Sequence, residues 1–230
     1  MEQIAKIAVF GTGPVGRSLA GKLSQLGYQV MVGTRDAQAT LARSEPDSSG
    51  DPPFSVWRTQ YPGIKLGSFS EAAAFGSLIV NATAGIGSIE ALKSAGEKNL
   101  SQKIIIDISN PLDFSRGMPP SLSVCNTDSL GEEIQRTFPD AKVVKTLNTI
   151  NSSLMVAPNQ LSAGNHTLFM SGNDEDAKST VKGLLESFGW KDIIDLGDIT
   201  TARGTEMLLP IWIRLWGTLG SPLFSFKVVR

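Results

Sequence analysis

The 230-residue chain has a single cysteine, Cys125, and a single histidine, His166. One thiol cannot form an internal disulfide, and its scarcity suits a reducing, cytoplasmic setting. Nothing in the spacing of the two residues points to a nucleophile–base pair. A buried thiol and a strand-edge imidazole are expected instead. There is no cluster of Cys, His and carboxylate residues at metal-ligand spacing, so no metal is expected. Charge of either sign is not in excess: Lys and Arg total 21, Asp and Glu total 22, and the net charge is −1. That removes the electrostatic case for nucleic acid or an anionic membrane surface. No apolar run approaches the roughly 18 residues a spanning helix needs. No basic-then-apolar leader precedes the first apolar segment. Internal repeats and low-complexity segments are also missing.

What is present begins at the first apolar run. Ala5-Lys-Ile-Ala-Val-Phe10 reads as a strand and leads directly into Gly11-Thr12-Gly13-Pro14-Val15-Gly16 and then a helix. In a G-x-G-x-x-G turn of this kind the first glycine allows the tight turn. The second lets a pyrophosphate approach the backbone, and the third lets the helix pack close to the sheet. The helix start then offers free N–H groups and a positive dipole end to phosphate. Pro14 falls at the first helical position, where its missing N–H breaks no helix bond. Gly27 is placed to end this helix.

The next strand, 28–33, indicates which nucleotide. A site for NAD usually has Asp or Glu at this strand tip to hold the ribose 2′-hydroxyl. Here the tip is Gly33-Thr34-Arg35. A hydroxyl and a guanidinium suit a 2′-phosphate, which a carboxylate would repel. NADP is therefore the expected cofactor. Asp36 is expected to start the following helix, where a negative charge suits the dipole.

The rest of the chain alternates in the manner of a doubly wound α/β fold. Helices are expected at 37–43, 70–75, 88–95, 129–138 and 174–188, with a short one carrying Trp57. Strands are expected at 64–66, 77–82, 103–108, 141–146, 166–170 and 192–196. The polar, proline-rich stretch 44–53 reads as a surface loop. The fold class is a Rossmann-type doubly wound parallel sheet with a short C-terminal helical and strand extension. Residues 1–150 form the nucleotide-binding unit, and residues 151–230 complete the sheet and carry the redox and dimer site.

Ligands of such sheets lie at the carboxyl ends of the strands. Those ends are 11–16, Thr34 and Arg35, 81–85, 109–111, and Asn148 with Thr149. Each is small, polar or a backbone-exposing turn, and none is a good acid or base at neutral pH. No catalytic side chain is therefore expected. Lys145 and Asn148 could instead pair as acid and orienter. A site of hydroxyls and amides suits direct hydride passage between two redox rings. Farther on, 200–216 reads as one long helix bent at Pro210. It is apolar on almost every side, from Met207 to Trp216, so part of it should meet a partner subunit or a flat aromatic ligand. Arg203 and Glu206, three apart, are placed to pair on its surface. Residues 223–229 alternate like a last half-exposed strand.

These motifs together resemble the coenzyme F420 (deazaflavin)-dependent NADP oxidoreductase family. The resemblance rests on Gly11–Gly16, Val32-Gly-Thr-Arg35, Lys145-Thr-Leu-Asn-Thr-Ile150, Ser171-Gly-Asn-Asp-Glu-Asp-Ala-Lys178 and Asp195-Leu-Gly-Asp-Ile-Thr-Thr-Ala-Arg203. Asp107-Ile-Ser-Asn110 and Val144-Lys-Thr-Leu-Asn-Thr149 are also similar to the cytosolic reductase domain of six-transmembrane metalloreductases. The resemblance implies a small, usually dimeric NADP reductase whose nicotinamide meets a deazaflavin or flavin. It implies that Thr12, Gly13, Pro14 and Val15 hold the pyrophosphate, with Thr34 and Arg35 on the 2′-phosphate. Ala82, Thr83, Ala84, Asn110, Asn148 and Thr149 would line the nicotinamide end, and Phe224 would face the second ring. The family often has a basic residue just after the Thr-Arg pair, and this chain has none at 36–39. Residues 44–53 look like an insertion. Two other readings stay open at this point. One is a dehydrogenase of a small carbonyl or imine, and the other is a non-catalytic NADP-sensing module. About 80 residues follow Asn148, too few for the large helical domain that related hydroxyacid dehydrogenases carry.

Overall fold

Apolar runs such as Ile7-Ala-Val-Phe10 are fully buried on both faces, as central strands of a helix-covered parallel sheet must be. The computed structural model describes residues 5–46 and 50–230. Of the expected loop 44–53, positions 47–49 lie outside the described residues. The elements in order are β1 (Lys6–Phe10), α1 (Pro14–Gln25), β2 (Gln29–Thr34), α2 (Ala37–Ala42), α3 (Phe54–Arg58), β3 (Lys65–Ser68) and α4 (Phe69–Phe75). Next come β4 (Leu78–Asn81), α5 (Gly85–Ala95), α6 (Glu97–Leu100), β5 (Ile104–Asp107), β6 (Leu112–Asp113), β7 (Ser121–Leu122) and α7 (Leu130–Thr137). The chain ends with β8 (Lys142–Thr146), α8 (Ser152–Val156), β9 (Thr167–Gly172), α9 (Glu175–Phe188), β10 (Asp192–Asp195), α10 (Ala202–Met207) and α11 (Leu209–Leu219).

Eight strands form one sheet in the order β10-β9-β8-β5-β4-β1-β2-β3, a Rossmann-type arrangement. One apolar layer on its first face carries Leu19 and Leu23 of α1, Met155 of α8 and Leu185 of α9. The other carries Ala72 of α4, Leu92 of α5 and Ile134 of α7. Among the described residues no helix is long and apolar enough to cross a membrane.

Four local expectations need correction. The sheet is parallel except where β9 meets β8 antiparallel, with Thr146 opposite Met170. After β8 the chain reverses through α8 and two short 3-10 turns, so β9 starts beside the end of β8 rather than after a crossover helix. Helix α5 begins at Gly85 instead of Ser88. A Cβ on Gly85 would run into the Asn110 carbonyl, so glycine is what lets the helix start there. The long C-terminal helix is two helices broken at Leu208. Pro210 lies in the first turn of α11, where proline is tolerated, and so the break falls before it. Finally, 223–229 is not a strand. Both edges of β9 are occupied by β8 and β10. The tail meets Thr167, whose N–H donates to the Phe226 carbonyl at 2.9 Å and whose Oγ1 accepts from Val228 N–H at 3.0 Å. Asp192 also ties it through Lys227 at 2.8 Å and Arg230 at 2.9 Å.

Candidate functional site: a nucleotide cradle beside an apolar cavity

The glycine-rich turn joins β1 to α1. Gly11 has φ +113°, and a Cβ there would stand 2.5 Å from the Ala82 carbonyl oxygen. Only glycine satisfies both constraints. A Cβ on Gly16 would collide with the Gly11 carbonyl, so the third glycine lets the helix fold back on the turn. Gly13 differs. It is the N-cap of α1, and a Cβ there would meet nothing within 4 Å. Its open side is the face a pyrophosphate would fill. Pro14 is the first helical residue, and Arg17 N–H closes the first helical bond on the Gly13 carbonyl at 3.0 Å. The N–H groups before it remain free for an anion. Ala82, Thr83 and Ala84 run beside this turn, with Ala82 N–H donating to Phe10 O at 3.0 Å.

At the tip of β2 the Thr34 and Thr40 hydroxyls lie 3.1 Å apart. Arg35 is exposed. Asp36 caps α2, accepting from Ala39 N–H at 2.9 Å, and so is engaged by its own helix. A groove of about 510 Å³ runs from Thr12 and Gly13 past Thr40 and Arg43 to Phe54. The sequence reading missed two cations here. Arg17 donates to the Thr12 carbonyl at 2.7 Å and the Pro52 carbonyl at 2.5 Å, bracing the turn against the 50–53 segment. Its place in the first turn after the third glycine was the available signal. Arg43, in the same groove, had none beyond its charge.

A second cavity, of about 160 Å³, lies against the start of α1. It brings together Val15, Asn110 and Asn148 with Met155, Leu209 and Trp212. Phe224 does not line it. That ring packs on Trp212, with centroids 5.1 Å apart. Thr149 is buried nearby in the chain but is not part of the lining. A roomier depression, about 790 Å³, opens at the amino ends of the strands beside Tyr28, Ser77 and Gln102. It shares no residue with the glycine turn.

Beneath the cavity lies a buried polar network. Lys145 Nζ sits 2.8 Å from Asp107 and 2.8 Å from Glu206, and it donates to the Ser109 carbonyl at 2.5 Å. Burial pushes the lysine pKa down, but the two carboxylates outweigh it and hold the value above the ordinary one. A lysine that keeps its proton this firmly is no acid at neutral pH. The alternative Lys145–Asn148 pairing is therefore replaced by an ion triad. Asn148 Nδ2 instead donates to the Thr205 carbonyl at 3.1 Å, and Asn110 Nδ2 donates to the Asn148 carbonyl at 3.0 Å. The surface pair of Arg203 and Glu206 is also corrected. Glu206 is buried and accepts from Leu130 N–H at 2.8 Å and Gly131 N–H at 3.0 Å, capping α7. Arg203 pairs with Glu132. The amino end of α7 offers Glu206 two N–H donors and a positive dipole end, which Arg203 alone does not match. Cys125 is exposed rather than buried. His166 is buried, 3.0 Å from the Pro158 carbonyl and edge-on to Trp190.

The mostly parallel sheet and its glycine cradle define a dinucleotide-binding protein of the Rossmann class. Comparison with known proteins narrows this. The profile of the family described as NADP oxidoreductase, coenzyme F420-dependent, matches residues 6–111. A crystal structure from Arthrobacter sp. FB24, provisionally named an F420-dependent NADP reductase, is 60% identical. It superposes with a TM-score of 0.95 over 99% of this chain and 100% of that one. The F420-dependent NADP reductase of Methanocaldococcus jannaschii is 25% identical over 91% of this chain and 92% of its own. The metalloreductase STEAP3 of Rattus norvegicus is 26% identical over 92% of this chain, which spans only 38% of that protein. The chain belongs to the coenzyme F420-dependent NADP oxidoreductase family and is an NADP-dependent oxidoreductase.

Proposed function

We propose that this protein passes a hydride directly between NADP(H) and a planar deazaflavin or flavin ring. The observation that carries the reading is the apolar, amide-edged cavity set against the glycine cradle, with its one nearby lysine locked in an ion triad. Gly11–Gly16 hold the pyrophosphate on the free N–H groups of α1. Thr34 and Arg35 take the 2′-phosphate. Ala82, Thr83 and Ala84 border the nicotinamide side, and Asn110 offers an unpartnered Oδ1 to its carboxamide. Bound NADPH supplies the hydride, and the second ring supplies the carbon or nitrogen that receives it. The chain's own side chains would align the two rings and none transfers a proton; the proton that balances reduction of the second ring would come from solvent. Oxidation of NADPH by coenzyme F420 or FMN under anaerobic conditions tests this. Reduction of neither acceptor refutes it. Residues 1–150 act as the nucleotide unit, and 151–230 complete the sheet and close the redox site.

Arg35→Ala is expected to weaken NADPH binding by about 1.5–3 kcal/mol, the worth of hydrogen bonds to a charged group. NADH binding should be unchanged. Calorimetric titration of both nucleotides checks this, and equal losses would remove Arg35 from the 2′-phosphate.

We also propose a homodimer through α11. Ile211, Trp216 and Leu219 are 48%, 44% and 58% exposed on one chain. A patch of this kind on a soluble monomer commonly marks an interaction surface. Light scattering at micromolar concentration should give twice the chain mass for the wild type and one chain mass for Ile211→Asp.

A further inference from the structure

Two polar atoms of the 160 Å³ cavity have no protein partner. Asn110 Oδ1 and Trp212 Nε1 are both buried without a hydrogen bond, and both side chains line the cavity. Buried groups of this kind are rare, because each gives up water without replacement. The direction of Asn110 is fixed, since its Nδ2 is committed to the Asn148 carbonyl. Its Oδ1 is the acceptor already assigned to the nicotinamide carboxamide. That leaves the indole N–H. Its ring is held by Phe224 at 5.1 Å and Trp216 at 5.8 Å, so it cannot easily turn to find a partner. The other nitrogen-bearing side chains of the lining are Asn148, whose Nδ2 is committed to Thr205, and Trp216, which is 44% exposed. Among the described residues, the Trp212 indole N–H is thus the one buried side-chain donor of the cavity without a partner.

We propose that Trp212 selects the second redox ring by donating its indole N–H to a carbonyl oxygen of a planar heteroaromatic acceptor. This rests on the direct-hydride reading and names the feature that reading leaves open. The pyrimidine edge of a tricyclic ring, with its carbonyls, would lie against apolar walls and satisfy the donor together. A hydrated ferric chelate does neither. Trp212 touches the ring but transfers nothing, so it is a specificity residue.

Trp212→Phe keeps an aromatic ring between Phe224 and Trp216 and removes only the donor. With coenzyme F420 and FMN as probes, the dissociation constant is expected to rise about tenfold. NADPH affinity should stay within twofold. The Raman carbonyl band of the bound probe should move to higher frequency in the variant, which a packing role alone would not produce. A second measurement needs no variant to fold. In wild-type protein with 15N-labelled tryptophan, one of the four indole N–H signals should move downfield on adding the probe and stay in place on adding NADPH alone. Unchanged probe affinity with an unmoved carbonyl band, or four unshifted indole signals with probe bound, overturns the proposal while leaving hydride transfer standing. If wild-type protein neither binds nor reduces either probe, the direct-hydride reading falls and this proposal falls with it.

Discussion

Gly13→Val is expected to abolish NADPH binding while the fold survives. The two halves of this result have separate causes. The cap position has φ −77° and ψ −177°, extended backbone that valine adopts readily. A Cβ there meets nothing within 4 Å, so the protein interior does not object. The same open space is where the pyrophosphate must touch backbone N–H groups. Filling it with a branched side chain removes at least two charge-assisted bonds of about 1.5–3 kcal/mol each, roughly a hundredfold or more in affinity. Fluorescence titration reads the binding, and circular dichroism melting reads the fold. A variant that binds NADPH normally would move the nucleotide out of this turn.

The largest stability effect is expected from Lys145→Met. The lysine is fully buried between Asp107 and Glu206. Its removal leaves two buried carboxylates without their cation, and breaking such a pair costs about 3–5 kcal/mol. For a chain of this size that corresponds to a fall of about 10 °C in melting temperature. Adding Asp107→Asn and Glu206→Gln should recover part of the loss, because the uncompensated charges are then gone. A fall below about 2 °C for the single variant would mean that the triad is not a fixed part of the native state. The triad links β5, β8 and α10 directly beneath Asn110 and Asn148, so NADPH affinity should fall in the same variant.

Much of the fold was legible because it is written in local patterns. The strand before Gly11, the apolar runs Leu78–Val80 and Ile104–Ile106 of β4 and β5 and the glycine after α1 each act within a few residues. The start of α5 was misread because Gly85 answers to Asn110, a contact between positions 25 apart. The reversal of β9 was invisible for a similar reason. Nothing in its own sequence says which way it runs, and the direction follows from the short path the chain takes after β8. In the site, the glycine turn is a local device, and its residues could be read singly. The ion triad is not. Glu206 has an ordinary surface partner by sequence in Arg203, and nothing local to Lys145 or Asp107 points to the triad. The cavity wall is harder still. Phe224 carries the aromatic signal, yet it is Trp212 in front of it that lines the cavity, with Phe224 as its backing. Apolar helices state that they must be covered and leave the geometry to packing.

The central claim is direct hydride transfer from NADPH to a planar ring, with no protein acid or base. It is tested most directly by mixing the protein anaerobically with coenzyme F420 and NADPH deuterated on one face of C4 of the nicotinamide, and repeating the experiment with the other face labelled. The account expects one face alone to deliver its deuterium, to carbon of the reduced deazaflavin, with no loss to water. Its rate should be flat across neutral pH. Label appearing in solvent, equal transfer from both faces, or reduction of a small imine or carbonyl with F420 untouched would contradict it.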